Sequence, residues 1–134
     1  MSDWEFLEHT GDVILRVRAP SPGDLFSRAA LALGEYIFGQ KTGAGESHRE
    51  VVRVTAKERE GLLVEWLSRM LFLMSVQRAR PVAILPERVE EGCFEATVEF
   101  ASAVPEEEIK AVTWHGLAIS EHGGEFTATV TCDL

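Results

Sequence analysis

The sequence predicts an α+β fold, a two-layer sandwich in which a largely antiparallel sheet is covered on one face by two helices. Segments with the period of amphipathic helices lie in the first part of the chain, and strand-like alternation dominates after them. The length of 134 residues and the hydrophobic content of 46% suit one domain, residues 1–134. A domain of this size can bury a core without a metal or a disulfide to hold it together.

The N-terminal region predicts two strand segments and then a helix. The alternating apolar residues of the strands are Trp4 and Phe6, then Val13, Leu15 and Val17. A turn or bulge near residues 9–11 separates the two segments. Ser21 is typical of a helix N-cap, Pro22 of the first helical position and Gly39 of a helix end, so this helix should run to about Phe38. Its buried stripe recurs every fourth residue, at Leu25, Ala29, Leu33 and Ile37.

The middle of the chain predicts a loop, a short strand and a second helix. Residues 40–48 contain two glycines and indicate the loop, and a strand around Val52 should end near Thr55. The second helix should extend from Glu58 to about Gln77, with an apolar face broad enough to be buried against a sheet. That face contains Leu63, Leu67, Met70, Leu71 and Met74, and Trp66 and Phe72 widen it, all expected as core residues.

The C-terminal part predicts further strands at 81–85, 94–100, 109–114 and 125–134. In the last of these, apolar residues from Phe126 to Leu134 alternate with polar residues from Glu125 to Asp133. Such alternation is typical of a strand with one buried face. The pairing of this strand should hold the Asp133 side chain and the Leu134 carboxylate in fixed positions.

These fixed carboxylates suggest a cation site. Asp12 could supply another ligand if the first strand pairs beside the last, and Ca²⁺ prefers several oxygen ligands of this kind. Glu8, four residues before Asp12 across the turn, either converges on the same cation or diverges from it. His9 could be a ligand or a proton carrier, but imidazole is a poor calcium ligand, so an orienting hydrogen bond near Asp12 is the favoured interpretation.

Composition narrows the classes of function. The formal charge of −9 repels phosphate backbones, so strong direct nucleic-acid binding is not expected, and a basic protein partner or a cation suits this field better. Cys93 and Cys132 have no CxxC spacing and read as reduced thiols. The sequence shows no signal-peptide pattern and no apolar run long enough to span a membrane. We therefore expect a cytoplasmic protein that does not associate with membranes.

Four segments together resemble the archease family: FLEHTGD at 6–12, LLVEWL at 62–67, KAVTWHGL at 110–117 and CDL at 132–134. The resemblance implies a protein cofactor of the GTP-dependent tRNA-splicing ligase, which joins RNA ends carrying a phosphate and a hydroxyl. It implies activation without catalysis: archeases promote guanylylation of the ligase histidine and its multiple turnover in tRNA splicing and RNA repair. It also implies a divalent cation, often calcium, at positions matching Asp12, Asp133 and Leu134.

Two positions depart from the family pattern. Gly11 stands where alanine is more usual, which frees the backbone before Asp12 but removes no ligand. The segment 100–109 is shorter than usual, and its three glutamates, 106–108, are either a solvated turn or an acidic patch for a basic partner surface. Lys110 and His115 are either the far rim of the partner surface or a satisfied pair at a sheet end.

Two other functions compete with ligase activation. The same carboxylates could position a cation that activates water, which would make the protein a stand-alone metal-dependent hydrolase. The sequence has no nucleophile motif and no glycine-rich phosphate loop to support this reading. A third possibility is an adaptor or chaperone for another nucleic-acid-modifying enzyme, which differs from the first only in its partner.

Overall fold

The computed structural model describes residues 3–39 and 46–134, which form two helices and seven strands. Along the chain these are β1 (Trp4–His9), β2 (Asp12–Ala19), α1 (Pro22–Phe38), β3 (Ser47–Thr55), α2 (Arg59–Gln77), β4 (Ala79–Glu90), β5 (Cys93–Ser102), β6 (Ala111–His122) and β7 (Glu125–Asp133). The α+β class is confirmed, and so are the bounds of both helices to within a residue.

The strands form two antiparallel sheets. One has four strands in the order β1-β2-β7-β6, and the other has three in the order β3-β5-β4. Helix α1 packs against β2 and β4, whereas α2 packs against β6 and β3, so each helix joins the two sheets. The sequence did not reveal this division, because alternation shows that a segment is a strand without showing which strand it pairs with.

The helix α1 follows from local signals. Its N-cap is Ser21, whose Oγ accepts a hydrogen bond from the Asp24 N–H at 3.2 Å. Gly39 ends the helix with a φ of +75° and donates its N–H to the Glu35 carbonyl at 2.8 Å. The predicted stripe of four residues, from Leu25 to Ile37, is buried.

Helix α2 confirms one aromatic prediction and overturns another. Trp66 is fully buried, its Nε1–H donates to the Phe26 carbonyl at 2.8 Å, and its ring lies 4.7 Å from that of Phe94. Phe72 is 62% exposed, so its expected place in the core was wrong. Periodicity alone cannot tell how wide the buried face of a helix is, because that width depends on the elements packed against it.

Three strands differ in extent from the predictions. β3 begins at Ser47, inside the predicted loop 40–48, because Ser47 pairs with Ala101 of β5; residues 40–45 of that loop lie outside the described part of the chain. β4 and β6 are longer than expected, and both contain irregularities in register. The irregularity in β6 falls between Thr113 and Ala118, within the KAVTWHGL segment.

Candidate functional site

Asp12 and Asp133 lie directly opposite each other where β2 pairs with β7. Residues opposed in this way point to the same face of a sheet, with Cα atoms about 4.5–5.5 Å apart. The sequence left this pairing as a condition, and the structure meets it through β2, the strand that begins at Asp12. Two carboxylates in this arrangement repel each other, and a cation bound between them would remove the repulsion.

Two backbone hydrogen bonds fix the chain around these carboxylates. The Leu134 N–H donates to the Gly11 carbonyl at 3.1 Å, and the Lys110 N–H donates to the Asp133 carbonyl at 2.8 Å. Gly11 has a φ of +83°, which an L side chain rarely adopts and which lets the turn from β1 bring its carbonyl to the end of β7. The strand ends that carry Asp12 and Asp133 are thus held together.

One carboxylate oxygen of Asp12 is buried without a hydrogen bond. Among the described residues, Asp12 Oδ1 has no hydrogen-bond partner, and His9 Nδ1 lies 3.6 Å from it. An unsatisfied buried polar atom costs about 1–3 kcal/mol. A hard cation would use this oxygen as a ligand, so on this observation the residues present fit a divalent ion.

The protein supplies only part of a coordination shell here. Ca²⁺ takes about six to eight oxygen ligands, and within residues 3–39 and 46–134 no group of three or more His, Cys, Asp and Glu side chains converges. A cation at this place would be held by the carboxylates of Asp12 and Asp133. A Leu134 oxygen, backbone carbonyls and water would have to complete the shell.

The structure places Glu8 away from this pair. Glu8 is opposite Val13, and His9 is opposite Asp12, so Glu8 and Asp12 point to different faces of the sheet. Of the two arrangements left open by the sequence, the structure shows the divergent one. The charge of Glu8 acts instead on Tyr36: burial, then Glu8 and Glu107, raise the pKa of that phenol.

The Lys110 to His115 segment begins at the carboxylate pair and leads away from it. Lys110 is exposed beside Asp133, whereas His115 is exposed in the irregularity of β6, where its N–H donates to Thr113 Oγ1 at 3.3 Å. The same irregularity exposes Trp114, which was not singled out as a site residue, to 63%. Its ring lies over Gly61 at the start of α2, where an added Cβ would lie 3.2 Å from it.

Cys132 precedes Asp133 and is opposite Val13, so its thiol points to the core side of the sheet, away from the carboxylate pair. Burial, with a smaller contribution from the Asp133 charge, raises the pKa of Cys132 to about 12. The thiol therefore stays neutral near pH 7 and packs in the core with Val130.

Comparison with known proteins assigns the family. Residues 4–134 match the family model described as the Archease protein family. The chain is 31% identical to the protein archease of Methanosarcina mazei, over 98% of this chain and 95% of that one. It is 27% identical to the protein archease of Pyrococcus abyssi over the full length of both. The chain belongs to the archease family.

Two solved structures share the fold of this archease family member. The solution structure of a Methanobacterium thermoautotrophicum protein superposes with a TM-score of 0.76 and 24% identity, covering 100% of both chains. The crystal structure of an archease from Thermotoga maritima, described as a possible chaperone, gives a TM-score of 0.71 and 22% identity, covering 96% of this chain and 94% of that one. At these identities the likeness establishes the fold.

In the described residues neither helix is long and apolar enough to cross a membrane.

Proposed function

We propose that this archease family member activates the GTP-dependent tRNA-splicing RNA ligase, as a non-catalytic cofactor that promotes guanylylation and multiple turnover in tRNA splicing and RNA repair. The proposal includes a divalent cation, Ca²⁺ being the first candidate, held by Asp12, Asp133 and Leu134. The observation that carries the cation site is the buried Asp12 Oδ1, which has no hydrogen-bond partner within the described part of the chain and lies on a strand end opposed to Asp133.

Family membership supports the choice of partner class. The resemblance to archeases implies that the protein acts through a ligase. The Thermotoga maritima relative is described as a possible chaperone, which also indicates action on a partner protein. The net charge of −9 suits docking on a basic protein surface without competition for the RNA backbone. The proposed location is the cytoplasm.

Within the complex, each residue of the site has a distinct task. A bound cation would supply positive charge at the ligase contact. Asp12 and Asp133 would anchor and orient that charge, and the bonds from Leu134 to Gly11 and from Lys110 to Asp133 would keep the two strand ends from separating. His9, 3.6 Å from Asp12 Oδ1, would orient that carboxylate.

The decisive assay follows transfer of labelled GMP from GTP to a competent cognate ligase, with this protein at substoichiometric amounts. We expect wild-type protein to stimulate labelling, and Asp12→Asn and Asp133→Asn to lose at least about tenfold of that stimulation. Asp24→Asn is the matched control, because it makes the same chemical change at an exposed position in the first turn of α1.

Three results would count against the proposal. Failure of the wild type to stimulate a ligase that is active by itself would favour another nucleic-acid-modifying enzyme as partner. Full stimulation by both Asn variants would remove the role of the cation. Turnover of phosphoesters by the purified protein with Ca²⁺ or Mg²⁺ would favour the stand-alone hydrolase.

A further inference from the structure

Helix α2 has an apolar side that the core does not cover. Phe72 is 62% exposed and Val76 is 65% exposed, and residues four apart lie on the same face of a helix. A single exposed apolar residue is ordinary, but Phe72 also lines a cavity and has Val76 beside it on the same face, which indicates a contact surface.

The exposed side of α2 borders a continuous groove, called here the α2 groove. It consists of two cavities of about 410 and 530 Å³ that share Leu71, Ser75, Glu108 and Ile109. The first cavity is lined by apolar groups that include Ile37, Phe38 and Met74. The second reaches Phe72 on one side and residues 110–112 on the other.

Three glutamates form the rim of the first cavity. The turn that carries Glu106, Glu107 and Glu108 covers the end of α1, and the N–H groups of Glu106 and Glu107 donate to the Ile37 carbonyl at 2.7 and 3.0 Å. A helix C-terminus carries a partial negative charge, and at this end of α1 the Arg80 guanidinium offsets it, since its Nη1 donates to the Gly39 carbonyl at 2.7 Å. Glu107 and Glu108 are exposed, so a cationic group of a partner can reach their carboxylates from solvent.

The distribution of charge along the groove indicates which end receives cations. Among the described residues that line the first cavity, the one basic residue is Arg78, against three glutamates. The second cavity is lined by Glu108 and Lys110 and is balanced. The glutamate rim also affects Tyr36. Burial, then the charges of Glu8 and Glu107, raise the pKa of that phenol.

This charge distribution argues against a second copy of the chain as occupant. Two copies would bring together two glutamate rims, each on a protein with a net charge of −9. An anionic lipid surface would be repelled for the same reason. A protein segment with an apolar side chain flanked by Lys or Arg matches both the apolar lining and the acidic rim.

We propose that the α2 groove is the docking site for such a segment of the partner ligase, an inference that rests on the proposed function. The apolar side chain packs beside Phe72 and Leu71, and the basic flank meets Glu107 and Glu108. Lys110, at the other end of the groove, donates its N–H to the Asp133 carbonyl. A segment in the groove therefore brings the ligase to the carboxylate pair.

The test measures ligase guanylylation and direct binding as a function of the concentration of this protein. We expect Phe72→Ser to raise the half-maximal concentration by about tenfold or more, as loss of an apolar anchor does. Leu85→Ser is the control, because Leu85 is also 62% exposed but lies on β4, outside the groove. It should match the wild type, and thermal unfolding should show both variants folded.

Charge is tested with a second matched pair. The double variant Glu107→Gln/Glu108→Gln should raise the half-maximal concentration about threefold at low salt, with the difference lost at high salt. The control, Glu121→Gln/Glu125→Gln, removes two exposed glutamates where β6 turns into β7 and should have no effect.

The outcomes separate this docking site from the proposed function. A docking defect raises the half-maximal concentration and leaves the maximal stimulation of guanylylation intact. In contrast, Asp12→Asn lowers the stimulation even when this protein is saturating. Wild-type affinity in both groove variants overturns the docking site while leaving ligase activation standing. A wild type that neither binds nor stimulates the ligase overturns both.

Discussion

The two ends of the four-stranded sheet each carry a pair of charged residues on facing strands, but the signs of the charges differ. At one end Asp12 opposes Asp133, and a buried carboxylate oxygen is left without a hydrogen bond among the described residues. Toward the other end Glu5 opposes Arg16, with 3.4 Å between the carboxylate and the guanidinium. The same cross-strand geometry thus holds a repulsive pair in one place and an attractive pair in the other.

The difference indicates that the Asp12 and Asp133 end of the sheet is not optimised for stability. The attractive end needs no ligand, because its opposite charges already face each other. The repulsive end is nevertheless held together by backbone hydrogen bonds from Leu134 and Lys110. A fixed, unfavourable pair of carboxylates is the arrangement expected of a cation site whose ligands are in place before the ion binds.

Calcium should stabilise only the protein with both carboxylates. At a Ca²⁺ concentration of 100 times the dissociation constant, binding adds about 2.7 kcal/mol to the free energy of unfolding. We expect this gain for the wild type in thermal melts with Ca²⁺ against melts with chelator. Asp12→Asn should lose the gain, yet be no less stable than the wild type in chelator, because it removes a repulsion.

The control for this experiment is Asp24→Asn, which should keep the full calcium shift. A shift of equal size in Asp12→Asn would show that calcium binds elsewhere. Calorimetric titration of the folded protein with Ca²⁺ then gives the number of sites directly, and more than one would require a second location.

Much of the fold could be predicted because its signals are local. Ser21, Pro22 and Gly39 mark the ends of α1 through their own backbone and side-chain chemistry. The alternation from Phe126 to Asp133 defines β7 in the same way. The facing of Asp12 and Asp133 was a conditional expectation, and the strand pairing that it required is present.

The rest depends on contacts between distant parts of the chain. The start of β3 at Ser47 is set by β5, and the exposure of Phe72 is set by what packs on α2. The face to which Glu8 points depends on the length of the turn between β1 and β2. A shift of the pairing by one residue would move every side chain of β1 to the other face of the sheet. The irregularity after Thr113 had no local signal beyond Gly116, whose φ is +66°.

A pair of glycines tests whether the turn beside Asp12 affects the cation as well as the fold. Gly11 and Gly124 have φ values of +83° and +81°, and neither would bring an added Cβ within 4 Å of another group. Alanine at either position should therefore cost about 1 kcal/mol through backbone strain alone. Both variants should show this loss in chemical unfolding.

Only Gly11→Ala should also weaken Ca²⁺ binding, because the Gly11 carbonyl receives the Leu134 N–H next to the carboxylates. Gly124 lies in the turn from β6 to β7, about 30 Å from Asp133 along β7 at the usual rise per residue. Equal calcium affinities in the two variants would show that the turn conformation does not position the ligands.

Double-mutant cycles give the smallest expected effect and the most direct comparison of the two ends. For Glu5 and Arg16, replaced singly and together by Gln, we expect a favourable coupling of about 0.2–1 kcal/mol, because their side chains are half exposed. For Asp12 and Asp133, replaced by Asn, the coupling in chelator should be of similar size and unfavourable. Added salt should reduce both.

Calcium separates the two cycles further. It should change the sign of the Asp12 and Asp133 coupling, since each carboxylate then contributes to a bound ion that needs the other, and leave the Glu5 and Arg16 coupling unchanged. A favourable coupling between the two aspartates without any cation would mean that they share a proton or a hydrogen bond. Their opposition would then be explained without a metal.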